Sequence, residues 1–415
     1  MNIRLRIGAV DDTYNQNDRI LAIPTCLEQR YSATAKIVLN NSDNTLTTKA
    51  YEGARADIAF GYVDANGTSR SSLVQPMIVT NQYLRSAQGS LVVSLLMKGV
   101  FDLMDDDLAS DDFEQDSGST YTIKGLAEAI CNATLPVYDH CINYVTTFDS
   151  DDAIFDTFKP ADSFAIAFGE SRRSSLIRLL EFTKTTARVE SGDSKIHFFQ
   201  PTVSGGTYDY VYKLADDNEH TFFTKVTRTR FLIPNYIEVS SHPEDGDGYT
   251  GSAEDTSYSD LTLTTPFGSG EIREQHRRRL TSDAQAASLA AARLEKVQQA
   301  ADKGSATVPI QVNQEIDDYV NFVDARESDN ERAGNVGFIN RMYDFLDAFM
   351  RSPLAFIMNM LRLVFLTFFE FTIGYALAGP KYKLPPWPSW DAMESQPGPG
   401  PKPPAGSGLI GSPLA

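Results

Sequence analysis

The side chains that could do chemistry are scattered along this chain at spacings that match no known catalytic or metal-binding motif. Five histidines lie far apart: His140, His197, His220, His242 and His276. The three cysteines form no C-x2-C pair and are too few for a disulfide framework: Cys26, Cys131 and Cys141. The sequence contains no phosphate-binding loop, no nucleophile elbow and no H-E-x-x-H motif. It therefore predicts no catalytic residue, no metal site and no cofactor, and a protein that is not an enzyme.

The densest group of ionisable residues is acidic. Seven carboxylates and no basic residue lie between Asp105 and Asp116. So many like charges resist packing, which favours an exposed loop. A calcium site is one alternative, although the spacing fits no EF-hand loop. A second alternative is a glycan hydrolase that uses paired carboxylates as acid and base, although no carboxylate lies in a recognisable motif.

A smaller cluster is basic: Arg273, His276, Arg277, Arg278 and Arg279. Two glutamates, Glu271 and Glu274, are interleaved with it. Two interpretations stay open. The cluster is either a solvated approach to a helix that begins near Ser282, or a charge-steered contact with an acidic neighbouring subunit.

The longest apolar stretch runs over residues 353–378 and is interrupted only by Arg362 and Glu370. Its length would span a bilayer core of roughly 30 Å as a helix. Each charge would cost roughly 2–3 kcal/mol near the membrane centre. The stretch is therefore either a helix buried against protein or a membrane contact. The residues proposed for this membrane or docking helix are Leu354, Phe356, Ile357, Leu361, Leu363, Val364, Phe365, Phe368, Phe369 and Phe371.

The chain as a whole is acidic and has ample material for a core. Its 415 residues carry a formal net charge of −18 and are 42% hydrophobic. This composition excludes a wholly disordered chain. The negative charge argues against specific nucleic-acid binding, which needs clustered Lys and Arg. No long apolar run precedes Asp11 and Asp12, so we expect no signal peptide.

Strands must position most of these residues. Short apolar segments bounded by turn residues predict an α+β, mainly β fold. Helices are predicted over 122–131, 174–185 and 284–301, the last with a capping box at Ser282 and Gln285. Strands are predicted over 35–39, 57–63, 75–79, 90–97, 187–189, 195–199, 208–214, 222–229, 231–239, 306–312, 318–324 and 337–343. Residues 380–415 hold ten of the twenty prolines, which predicts a disordered tail.

Three phrases of this sequence occur in a familiar order. They are KPADSF (159–164) with SSLIRLLEF (174–182) and the hairpin 187–199; LIPNYIEV (232–239); and the helix 282–303 leading into DYVNFVD (318–324). In that order and spacing they resemble the central hub protein of phage tail baseplates and related contractile injection machines. The resemblance covers residues 33–343.

The resemblance implies an architecture rather than a reaction. Hub proteins of this kind have two tube-like β-barrel domains with an inserted α/β module, and they form homotrimers with a pseudo-sixfold ring. The ring joins the tail tube protein to the trimeric spike protein and lines a channel through which DNA can pass. It implies a location in the virion tail baseplate after synthesis in the host cytoplasm.

Applied to this chain, the resemblance gives six regions. They are a first barrel (1–104), an acidic loop with a mixed insertion (105–190), a β-rich segment (191–265), the helix and strands of a second barrel (266–343), a hydrophobic helix (344–379) and a disordered tail (380–415). Residues 344–415 depart from the family pattern. They are a membrane appendage, a docking helix or a fused gene end. The alternative for the whole chain is a membrane-anchored β-rich surface or binding protein that uses helix 353–378.

Overall fold

The computed structural model describes most of the first 344 residues. The chain divides into two units, Met1–Ala348 and Phe349–Ala415, and all described residues lie in the first. These are residues 2–8, 12–15, 18–63, 69–87, 90–115, 121–149, 152–160, 164–214, 224–227, 233–242, 248–255, 263–264, 269–270, 272–301, 304–309, 311–324 and 331–344.

Strands dominate both ends of this unit. The first part forms β1 (Asn2–Ile7), β2 (Asp12–Asn15), β3 (Ile20–Gln29), β4 (Ser32–Asn40), β5 (Arg55–Val63), β6 (Ser69–Leu73), β7 (Met77–Ala87) and β8 (Ser90–Gly99). The middle mixes helices and short strands: α1 (Val100–Asp106), β9 (Phe113–Glu114), α2 (Ile123–Cys131), a 3-10 helix (Pro136–Tyr138), β10 (Thr146–Asp149), α3 (Ala153–Thr157), β11 (Ala165–Ile166), α4 (Arg172–Leu180), β12 (Thr186–Val189) and β13 (Ile196–Phe199).

The remaining elements contain one long helix. They are β14 (Tyr210–Lys213), β15 (Thr224–Thr227), β16 (Tyr236–Ser241), β17 (Thr250–Glu254), β18 (Leu263–Thr264), β19 (Ser269–Gly270), β20 (Arg273–Arg278), α5 (Asp283–Ala300), β21 (Gly304–Thr307), β22 (Tyr319–Val323), β23 (Glu331–Asn335), β24 (Phe338–Asn340) and β25 (Tyr343–Asp344). The mainly β prediction is confirmed.

A ten-stranded sheet contains the first eight strands. Its order is β2-β1-β5-β7-β8-β4-β3-β24, with β6 beside β5 and β25 beside β3. Every pairing in it is antiparallel. Side chains alternate between the two faces of a strand, so Ala35, Ile37 and Leu39 of β4 share one buried face. They pack in one core with Val93 and Leu95 of β8.

This sheet is open, which differs from the two closed barrels that the resemblance implied. At one end of the order β2 pairs only with β1, and at the other end β24 and β25 cover the outer edge of β3. The other described strands form small separate sheets of two or three strands. Within the described residues, therefore, no sheet closes on itself. The predicted last strand is present as β24 and β25, and it seals β3 rather than a second barrel.

The middle segment forms a compact module with its own core. In α2 the side chain of Thr122 accepts a hydrogen bond from the Gly125 N–H at 3.2 Å, which caps the helix. The helix predicted over 122–131 is confirmed, and its apolar residues Ile123, Leu126 and Ile130 are buried. Helix α4 ends at Leu180, earlier than the predicted residue 185.

The early end of α4 has a local cause. The buried hydroxyl of Thr183 donates to the carbonyl of Leu180 at 2.9 Å and lies 3.2 Å from the carbonyl of Thr185. A threonine side chain that bonds nearby backbone competes with helical hydrogen bonds. The chain therefore turns here and enters β12, which pairs antiparallel with β13 as the predicted hairpin.

Helix α5 covers a three-stranded sheet of order β17-β16-β20. The predicted N-terminal cap is confirmed, because the Ser282 side chain accepts from the Gln285 N–H at 3.2 Å. Ile237 of β16 packs against Leu289 of the helix. Gly251 of β17 lies so close to the helix that a Cβ there would collide with the backbone of Ala286 and Ala287. Glycine is thus required where helix and strand touch.

A further sheet has the order β14-β22-β23. Tyr212 of β14 stacks on Phe322 of β22, with ring centroids 4.9 Å apart. The strand predicted over 306–312 is instead β21, which begins at Gly304 and pairs with β15. Gly304 does not cap α5: its φ is +144°, and it lies against the carbonyl of Val226, where a Cβ would collide.

Candidate assembly surface

Two of the cysteines and one of the histidines have clear places in the fold. The Thr147 hydroxyl of β10 lies 2.9 Å from His197 Nδ1 of β13, so this histidine helps to join two strands. Cys26 and Cys131 are fully buried. Burial raises the pKa of the Cys131 thiol to about 12. Among the side chains that the structure describes, no three His, Cys, Asp or Glu residues are grouped to hold a metal ion.

The predicted membrane or docking residues, Leu354 to Phe371, lie outside the described residues, as does the tail 380–415. Within the described ranges no helix combines the length and apolar character needed to cross a bilayer.

The acidic run that begins at Asp105 is more ordered than the predicted loop. Asp105 and Asp106 end helix α1, and the Glu114 backbone pairs with β11. Arg173 of α4 lies 2.6 Å from Asp105, and Lys98 of β8 lies 2.7 Å from Asp106. The run is tolerated because bases from distant parts of the sequence neutralise several of its charges.

Arg172 is the central example of this pairing. Its side chain is completely buried. It donates to the carbonyl of Ile130 at 2.6 Å and to the carbonyl of Cys131 at the end of α2. It also lies 3.1 Å from Asp107. The last carbonyls of a helix lack helical partners and carry partial negative charge. This guanidinium therefore supplies hydrogen bonds to the end of α2 and a positive charge to the acidic run.

The rest of the acidic run forms an exposed corner of the module. We define the acidic corner as Leu108, Asp111, Asp112, Glu114 and Phe168. All five are exposed, and the Phe168 side chain is 72% accessible. The Phe168 N–H donates to Asp112 at 2.7 Å, and the next residue, Gly169, donates to the Ala109 carbonyl at 3.0 Å. Phe168 is thus held outward by a fixed turn.

The predicted basic cluster forms strand β20 at the edge of the α5 sheet. Its residues alternate between exposed and half-buried. We define the arginine edge as Arg273, Arg277 and Arg279, which are all exposed and which the alternation places on one face. The guanidinium of Arg273 stacks over the ring of Tyr236 at 4.3 Å. This face points away from α5.

The other face of β20 packs inward. Arg278 lies over the ring of Phe182 at 4.2 Å, and the His276 ring meets the same ring edge-on at 4.9 Å. Arg293 of α5 lies 2.7 Å from Glu274 and 3.2 Å from Glu181. The cluster is therefore divided: one half anchors the connector after α4, and the other half faces solvent. The sequence over residues 273–278, REQHRR, contains no apolar residue, so no hydrophobic alternation predicted this strand.

A second group of ionisable residues joins three distant parts of the chain. Arg30 binds Asp317, which is fully buried at its side chain. Arg188 of β12 lies 2.8 Å from Glu315. We define the charged junction by its members: Glu28, Arg30, Arg188, Glu315, Asp317, Asp318 and Arg341.

The charged junction is closed by Arg341, which follows β24. Arg341 pairs with Glu28 of β3, and both are buried. It also donates to the Gln314 carbonyl at 2.6 Å. Asp318 accepts from the Glu315 N–H at 2.7 Å, and burial raises the pKa of Asp318 to about 7. These groups hold the end of the described chain against the first sheet.

The β7–β8 hairpin presents an open strand edge. Strand β5 pairs with β7 only near Ile78, and the Gln82 side chain bonds the backbone of Tyr51 and Lys49. Beyond Gln82, no strand of the described residues pairs with the outer edge of β7. Leu84 is 49% exposed and Tyr83 is 53% exposed there. Such an edge can take an added strand.

Comparison with known proteins ties this arrangement to one group of structures. No protein-family model matches the chain, and no curated protein matches it. A tail protein from Neisseria meningitidis matches with a TM-score of 0.54 at 9% identity, over 84% of this chain and 94% of that one. The 43 kDa tail protein of prophage MuSo2 from Shewanella oneidensis matches with a TM-score of 0.50 at 13% identity, over 83% and 94%.

This chain has the fold of phage tail proteins. A third tail protein, gp18 from a Listeria monocytogenes prophage, is similar with a TM-score of 0.48 at 10% identity, over 82% of this chain and 90% of that one. The two matches with TM-scores of 0.54 and 0.50 confirm the predicted resemblance to tail proteins as a likeness of fold.

In this tail-protein fold the charged residues form ion pairs and exposed edges. Two of these features were not fully predicted from the sequence. The charged junction was not predicted, because Glu28 and Arg341 meet only after folding. The acidic corner was predicted as a loop without its exposed Phe168, since nothing in the local pattern shows a surface aromatic held in a fixed turn.

Proposed function

We propose that this chain is a structural component of a phage tail or related injection machine, and specifically the hub of its baseplate. The single observation that carries this is its likeness to two tail proteins over 94% of each. A match of that breadth involves the sheets, the module and the helix together. The proposed hub is a homotrimer with a pseudo-sixfold ring that joins the tail tube protein to a trimeric spike.

The open edge of β7 fits an assembly role. Tyr83 and Leu84 are consecutive exposed residues, so their side chains lie on opposite faces of a strand whose outer edge is unpaired within the described residues. A neighbouring protein could add a strand to this edge through main-chain hydrogen bonds, and the two side chains would give it specificity. We propose this hairpin as a contact to the next subunit or to the tail tube protein.

The charge of the chain fits a conduit. A net charge of −18 repels phosphates, so a lumen lined by this protein would let DNA pass without retaining it. We therefore propose no specific nucleic-acid binding. The lack of a recognisable catalytic motif in the sequence supports a role without catalysis. The proposed location is the baseplate of the virion tail.

The domain limits stay part of the proposal: 1–104, 105–190, 191–265, 266–343, 344–379 and 380–415. The apolar residues from Leu354 to Phe371 are proposed to dock on another baseplate protein or to contact a membrane. Flotation of the full chain and of a chain ending at Tyr343 with liposomes separates these two roles, because only a membrane contact makes flotation depend on the segment.

Electron microscopy and mass photometry of the purified full chain test the hub. We expect a trimer that appears as a ring in projection, alone or after addition of tail tube protein. Salt should be kept near physiological strength, because exposed charge contacts weaken as salt rises. A chain that stays monomeric with and without tube protein would contradict the proposal.

A matched pair of variants tests the hairpin. Leu84→Asp places a charge on the open edge of β7 and should weaken the ring. Lys36→Asp, also exposed but on β4, which is paired on both sides, should leave it intact. Equal effects of the two changes would argue against the hairpin contact.

A further inference from the structure

The arginine edge is an unusual surface on so acidic a chain. Arg273 and Arg277 lie on the exposed face of β20, and Arg279, just after the strand, continues the same alternation of exposed residues. Among the described strands β20 is the last of its sheet. Alternate residues of a strand are roughly 7 Å apart, so these cations form a row rather than a point. Glu238 lies 3.9 Å from Arg273 at one end of the row. The row also carries an aromatic surface, because Tyr236 stacks beneath Arg273.

The acidic corner has the opposite charge and an apolar anchor. In the part of the chain that the structure describes, no ion pair involves Asp111, Asp112 or Glu114. Phe168 and Leu108 are 72% and 50% exposed beside them. The turn of Phe168 is fixed by Asp112 and by Glu170, which lies 2.9 Å from Arg178. An exposed aromatic held in a rigid backbone is the kind of residue that anchors interfaces.

We propose that the arginine edge of one copy docks on the acidic corner of a second copy of this chain. The inference rests on the proposed ring and names one of its contacts. Carboxylates of the corner pair with the arginine row, and Phe168 packs against the row where the guanidinium of Arg273 covers Tyr236. Arginine stacks readily on aromatic rings, so the two surfaces are complementary in charge and Phe168 finds a stacking partner in the arginine edge.

A second copy is the occupant because both surfaces belong to the same chain. Two different patches that are complementary make a head-to-tail contact, and such contacts close into rings when the rotation permits. A trimer would repeat this contact three times. Two copies of a chain with a net charge of −18 repel each other, so a contact between copies is favoured where a basic surface meets an acidic one.

Charge reversal in the full chain tests the contact. The first variant is Arg273→Glu with Arg277→Glu, and the second is Asp111→Lys with Glu114→Lys. Asp112 is left in place because it holds the Phe168 turn. We expect each variant to raise the concentration for half-assembly roughly a hundredfold, because like charges facing each other are costly. The chain carrying all four changes should assemble again, since its reversed surfaces attract.

Two further variants complete the design. Phe168→Ser should weaken assembly without changing the charge. Arg4→Glu with Lys36→Glu changes the net charge as much as the first variant does, at exposed positions on the first sheet, and should assemble as the unaltered chain does. Circular dichroism confirms that each variant is folded, and mass photometry at several salt concentrations gives the assembly.

The outcomes separate this contact from the ring itself. A ring that forms normally in both reversal variants would overturn the contact and leave the hub proposal standing. Loss of assembly in both variants without recovery in the fourfold variant would also overturn it, because the two surfaces would then have different partners. An unaltered chain that never assembles would overturn the ring and the contact together.

Discussion

The ten-stranded sheet and the charged junction hold the same chain together by different means. In the sheet, Ile37 and Leu39 of β4 are buried beside neighbours that follow a regular alternation. In the charged junction, Arg30 meets Asp317 and Arg341 meets Glu28 across almost the whole described chain. The sheet is stabilised by burial of apolar area, and this burial does not depend on one exact partner for each side chain. The junction depends on each partner, because a lone buried charge is costly.

The largest effect is expected in the core of the sheet. Phe60 of β5 is 1% exposed, and Phe60→Ala should lower the free energy of unfolding by about 3–5 kcal/mol because it removes buried area and leaves a cavity. Urea denaturation measures the change. Leu84→Ala, at an exposed position on β7, is the matched control and should change stability by less than about 0.5 kcal/mol. Similar losses in the two variants would contradict the assignment of the core.

The next largest loss of stability is expected when the charged junction loses one partner of an ion pair. Arg341→Met leaves Glu28 buried without its cation and should cost about 3 kcal/mol. The double variant Glu28→Met with Arg341→Met should cost less than Arg341→Met alone, since it removes the uncompensated charge. A buried apolar residue of the sheet has no charged partner whose removal would restore stability in this way. Lys98→Met, which removes an exposed pair with Asp106, should cost about 0–1 kcal/mol. Strict additivity at Glu28 and Arg341 would show that the pair is not coupled.

A third effect, smaller per pH unit, distinguishes the two regions by the pH dependence of stability. Burial raises the pKa of Asp318 to about 7, so between roughly pH 4 and 7 the folded chain keeps a proton that the unfolded chain releases. Stability therefore falls as pH rises through this window, by up to about 1.4 kcal/mol per pH unit from this group.

Asp318→Asn should remove that slope, because the amide does not titrate and its oxygen can still accept from Glu315. Thermal denaturation of both proteins at pH 4.5, 6 and 7.5 gives the difference. The stability of the variant relative to that of the unaltered chain should increase as pH rises. A constant difference across this range would show that Asp318 titrates outside it.

The smallest effect is expected at the open edge of β7. Tyr83→Ser should change the free energy of unfolding by less than about 0.5 kcal/mol, since the ring is half exposed. In the proposed hub it should still weaken assembly. Denaturation and mass photometry of the same preparation measure both quantities. A clear loss of stability would place Tyr83 in the core of the sheet rather than at its surface.

Local patterns predicted the elements whose signals are local. The apolar face of α2, the cap at Ser282, the hairpin of β12 and β13 and the strand after Pro234 are all present. Helix α4 and strand β21 have different ends, because Thr183 and Gly304 make contacts that propensity does not contain. Strand β3, the partner of both β4 and the chain end, was not predicted from its mixed sequence.

The sequence by itself determined a mainly β, acidic chain with one long capped helix, and its phrase order indicated the tail-protein fold. Periodicity, capping and turn residues act over a few positions, so they are visible in one dimension. Only the tertiary structure decided that the sheet stays open, that Arg341 pairs with the buried Glu28, and that successive residues of one basic cluster face opposite ways. Those outcomes depend on which distant side chains meet, because the strength of a charge pair is set by its burial and partner rather than by its place in the sequence.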